Sequence, residues 1–161
     1  MRTTLFAVVV ALSVPAAAEP DEPVQVGVNV GVGGPTGGIG IGLRDGPLDA
    51  FGEVQFLAIG PALVTSATVH VHYELVQLGR WGLYIGPAGG ILATLVGGAE
   101  GDSGGAWAVA GVVLGVRFHQ KAKRVHDFEV GALYGTSVDR PCTDSCQFVG
   151  LQVAWRLHFY R

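Results

Sequence analysis

The chain has 161 residues, 10 basic against 13 acidic, and 49% of it is hydrophobic. That length suits one domain, and with no basic stripe a nucleic-acid partner is not expected. Glycine is abundant, at 26 residues, but shows no collagen-like period.

Residues 1–18 read as a secretory signal: Arg2 is a basic start, 5–12 is an apolar run, and Pro15 precedes the small residues Ala16, Ala17 and Ala18. The run is too short to span about 30 Å of hydrocarbon as a helix. Residues 19–23 form a short polar tether. From 24 to 161 one β-barrel domain is expected, because no 12-residue window carries a clean helical stripe. Strands are expected at about 24–33, 38–44, 51–59, 66–77, 81–93, 106–119, 124–136 and 147–160, rich in Val, Ile, Tyr, Phe and Trp. Gly/Pro clusters at 34–38, 45–47, 60–61 and 97–105, with Pro141 before Cys142, separate them. Eight strands let an all-antiparallel meander close, with short turns at about 45–50, 78–80 and 120–123. Longer loops fall on the other rim at 94–105 and 137–146. That asymmetry is typical of outer-membrane barrels.

Alternation sorts each strand into two faces. The last strand sets Val149, Leu151, Val153, Trp155, Leu157 and Phe159 against Gly150, Gln152, Ala154, Arg156, His158 and Tyr160. Across the strands the polar face collects Arg44, Glu53, His70, His72, Glu74, Arg117, His119, Asp127, Glu129, Arg156 and His158. A solvated face normally carries lysine, yet both lysines, Lys121 and Lys123, fall in one expected turn. The polar face is also rich in glycine, which suits a narrow, crowded barrel interior. The apolar face is therefore assigned to lipid and the polar face to an interior whose arginines pair with its carboxylates, since an unpaired buried charge is costly.

No catalytic or cofactor site emerges. His126 is the one histidine on the apolar face, and Ser137 lies at the far end of the same strand, too distant for a nucleophile and its base. His70, His72 and Glu74 share a face and could hold a metal by type, but among so many arginines and carboxylates they read as hydrogen-bonded packing residues. The glycine-rich runs lack a following Lys-Ser/Thr, which excludes a phosphate loop. Cys142 and Cys146, close together in an exported chain, are expected to form a small disulfide rather than a metal site.

With this pattern in hand, residues 24–160 resemble the small eight-stranded outer-membrane barrels, the family of the OmpA transmembrane domain and OmpX. The terminal aromatics Phe159 and Tyr160, shifted one place by Arg161, are similar to the family's assembly signal. The resemblance implies an all-β, eight-stranded antiparallel up-and-down transmembrane barrel in the cell outer membrane. Its implied partners are outer-membrane lipid and, during biogenesis, the barrel-assembly machinery. The expected role is non-catalytic and structural or adhesive, with an extracellular partner met through loops 94–105 and 137–146. Two alternatives stand beside it. One is a narrow outer-membrane pore. The other is a secreted or periplasmic soluble barrel that binds an apolar ligand, with Val112, Leu114, Val153 and Trp155 lining its cavity.

Overall fold

The computed structural model describes residues 25–33, 36–97, 103–121, 123–138 and 146–161. Residues 1–24, which hold the expected signal and tether, lie outside them, as does Cys142 of the expected disulfide. Eight strands follow one another in chain order: β1 (Gln25–Gly33), β2 (Thr36–Asp45), β3 (Leu48–Ile59), β4 (Ala62–Leu78), β5 (Trp81–Val96), β6 (Ser103–Lys121), β7 (Arg124–Ser137) and β8 (Gln147–Tyr160). Each pairs antiparallel with the next, and β1 pairs with β8 through Gly27–Tyr160 to Gly33–Ala154, closing the barrel. Closure leaves no strand edge, so every ladder hydrogen bond is made within the sheet.

Most strands are longer than their patterning suggests. The turn expected at 45–50 tightens to Gly46-Pro47, and that at 78–80 to Gly79-Arg80. Gly46 and Gly79 adopt φ of 54° and 63°, the left-handed backbone that a two-residue hairpin needs. The loop placed at 94–105 shrinks to 97–102 because β5 and β6 pair as far as Val96–Ser103. Lys121 closes β6 instead of lying in a turn.

The faces fall as the alternation directs. Ile39, Ile41, Val54, Val69, Val112, Leu114, Val130, Val149, Leu151 and Val153 are all exposed, Leu151 at 83%. Val112, Leu114 and Val153 are exposed on this outer wall, and the pocket that Leu114, Val153 and Trp155 line opens among outward residues such as Leu83, Phe128 and Val130. Near the short-turn rim, outward Trp81, Phe118, His126 and Trp155 form a chain of ring contacts with centroids 4.7, 6.2 and 5.9 Å apart. Phe56 and Tyr134 are exposed farther up the wall. Aromatics flanking an apolar band are the mark of a membrane-crossing barrel wall.

Candidate functional site in the barrel interior

The inward positions of seven strands, β2 to β8, converge in two stacked charge networks. Nearer the short turns, Arg117 from β6 is fully buried. Its Nε and one terminal nitrogen donate to the two oxygens of Asp127 on β7 at 2.8 and 2.7 Å. The same nitrogen donates to Asp49 on β3 at 2.8 Å. Tyr160 donates its hydroxyl to Asp49 at 2.6 Å, and His158 lies 3.3 Å from Asp127. At the edge of this layer Glu74 gathers Arg44 at 3.5 Å, His119 at 3.3 Å and Arg117 at 3.8 Å.

The second layer centres on Arg156 of β8. It makes a bidentate pair with Glu53, both bonds 2.8 Å, and reaches across to Glu129. Gln55 donates to Glu53, Gln152 to Glu129, and Tyr84 lies between the layers with its hydroxyl 3.4 Å from Glu129. The guanidinium groups also sit over rings, Arg117 5.1 Å from the Tyr84 centroid and Arg156 5.2 Å from that of Phe51. Planar forks that stack and pair at once suit a crowded, water-poor space better than lysine would.

Glycine makes room for these large side chains. A Cβ on Gly115 would collide with the hydroxyl end of Tyr84, 2.2 Å from its Cζ, and one on Gly86 would collide with the Val71 carbonyl. Gly86 adjoins Pro87, which has no amide proton, and here the β4–β5 ladder skips from His70–Ala88 to Tyr73–Ile85. Farther from the short turns the interior turns apolar, with Ala88, Val109 and Val113 buried.

The eleven residues assigned to the interior network all face the bore, and each comes within ion-pair or hydrogen-bond distance of another member. His72 stands between the two layers, within ion-pair distance of one carboxylate in each. It is fully buried between them, 3.5 Å from Glu129 and 3.7 Å from Asp127, without a hydrogen bond at either ring nitrogen. Sequence reasoning missed Asp49, absorbed into an overlong turn, so among the described residues the interior networks hold five carboxylates instead of four. Its parity with Glu53 and Gln55 would have found it once the turn was cut to two residues. Phe51, Tyr84 and Tyr160 were likewise not counted as network members. The His-x-His-x-Glu trio, weighed as a metal set and read as packing residues, does not assemble: Glu74 turns to Arg44 and His119, while Glu129 comes close to the histidine pair. His126 and Ser137 sit near opposite ends of β7, so no nucleophile–base pair forms between them.

No family model and no curated protein matches the chain. Solved structures do. Neisserial surface protein A aligns with a TM-score of 0.62 at 15% identity, covering 84% of this chain and 94% of that one. The N-terminal β-barrel domain of Pseudomonas aeruginosa OprF aligns with a TM-score of 0.53 at 12% identity, covering 86% and 96%. The fold is that of the small eight-stranded outer-membrane β-barrels.

Proposed function

We propose that this chain is an integral outer-membrane β-barrel with a non-catalytic, structural or adhesive role at the cell surface. The observation that carries this reading is the separation of faces: a closed apolar band outside, and inside it arginines and carboxylates that pair with one another. A chain folding in water would gain nothing by turning Ile39, Val149 and Leu151 outward while burying Arg117 and Arg156. Similarity to a neisserial surface protein supports the location. The two side-chain layers fill the bore, which supports a plugged barrel over a narrow pore. Contact with an extracellular partner is assigned to the longer connections, now 97–102 and 138–146, at the rim opposite the short turns.

Fractionation tests the location. The native protein should sediment with outer membranes and migrate faster on a gel before boiling than after it. Recovery as a detergent-free soluble protein would overturn the proposal. Deleting residues 98–101 should leave the heat-dependent shift intact while reducing surface attachment; unchanged attachment after trimming both long loops would remove the adhesive role.

A further inference from the structure

We propose that His70, His72 and Glu129 form a binding site for one divalent transition-metal ion of the zinc class inside the barrel. Each residue brings one donor atom within 4.8 Å of the others, and all three are buried. Both nitrogens of His72 lack a hydrogen-bond partner, and so does Nδ1 of His70. Unpartnered imidazole nitrogens in a closed interior are expensive.

The spacing says what they await. His72 Nε2 lies 3.5 Å from Glu129 Oε2, long for a hydrogen bond. Two donors bound tetrahedrally to one zinc at about 2.0–2.1 Å would stand roughly 3.3 Å apart. The pair therefore matches a shared ion better than a shared proton. His70 needs a modest closing movement to join them. Glu129 is divided to suit: Oε1 takes Arg156 and Gln152, while Oε2 faces the histidines with only the long Tyr84 contact. Stacking holds the imidazoles, His70 on Phe51 at 4.8 Å and His72 on Tyr84 at 4.3 Å. The opposing charge is Arg156, 3.4 Å from His70 Nε2.

Charge balance points the same way. Among the described residues the interior networks hold Asp49, Glu53, Glu74, Asp127 and Glu129 against Arg44, Arg117 and Arg156, a shortfall of two positive charges when the histidines are neutral. One dication closes it. Two imidazoles and a carboxylate select zinc-like ions over calcium or magnesium, which prefer oxygen ligands. A second buried trio, Asp49, Asp127 and His158, is a poorer site because Arg117 and Tyr160 already occupy three of the four carboxylate oxygens.

The test uses the untagged full barrel, refolded from urea into detergent with Co2+ present so that a closed interior does not limit access. Excess ion is then removed. The expected result is a visible cobalt absorption band saturating at one ion per chain and bleached when Zn2+ replaces Co2+ during refolding. His72→Phe, which keeps the stack on Tyr84, and Glu129→Gln should each weaken cobalt binding at least tenfold while retaining the heat-dependent gel shift. His70→Gln replaces either variant that fails to fold. His126→Ala, on the outer wall, should leave the band unchanged. A folded wild-type barrel without the band, or a band of unchanged affinity in the folded interior variants, overturns the proposal; the histidines would then serve as protonated counter-ions to the carboxylates.

Discussion

Arg117 and Arg156 each hold two or more carboxylates with no access to water, so these pairs are coupled to folding. Breaking a buried pair leaves an uncompensated charge, and Arg117→Leu should cost about 3–5 kcal/mol. Its urea midpoint in detergent should fall accordingly, and adding Asp49→Asn and Asp127→Asn should recover much of the loss. A midpoint within error of the wild type would contradict the pairing. Gly115 carries a steric constraint of its own. Gly115→Ala would force Tyr84 from its place beside Glu129, an overpacking cost of about 1–3 kcal/mol visible as a lower melting temperature.

The short hairpins set register, and register decides which face of each strand meets lipid. Gly79 turns between β4 and β5 at positive φ, so Gly79→Val should destabilise by about 1–3 kcal/mol. By contrast Gly37 shares the outward parity of Ile39 and has nothing within 4 Å of an added Cβ. Gly37→Val should therefore change stability by no more than about 0.5 kcal/mol. Parallel denaturation curves of the two variants separate a turn glycine from an incidental one. Longer strands have a further consequence. β4, β5 and β6 run to 17, 16 and 19 residues, whereas about 9–11 tilted residues cross a bilayer. In the proposed membrane setting their surplus would extend the wall past the bilayer, and it shortens the loop between β5 and β6. Pairing between neighbours drives that extension through residues such as Gly104 and Gly105, whose local signals favour turns.

For the molecule as a whole, the decisive property is the outer band. Val112 lies midway along β6 and is 55% exposed, so Val112→Arg places a cation against hydrocarbon. The expected penalty is roughly 2–4 kcal/mol near mid-bilayer, read as failed insertion into lipid vesicles; normal insertion would mean that this face does not meet lipid. In planar bilayers the folded barrel should show no porin-sized conductance, because both layers of side chains span the bore.

The sequence by itself determined the strand number, the antiparallel order and the two faces, because period-two alternation depends only on neighbouring residues. It also singled out the arginines, carboxylates and histidines of the interior, since charges excluded from one face must lie on the other. Who meets whom was decided only by closure of the barrel. Glu53 and Arg156 are 103 residues apart in the chain, Asp49 and Tyr160 are 111 apart, and strand tilt and register alone bring them level. Nothing local marks Asp49 as a partner of Arg117, or Glu129 rather than Glu74 as the carboxylate beside His70 and His72. Those choices depend on how far each strand is staggered against the next, a property of the closed sheet.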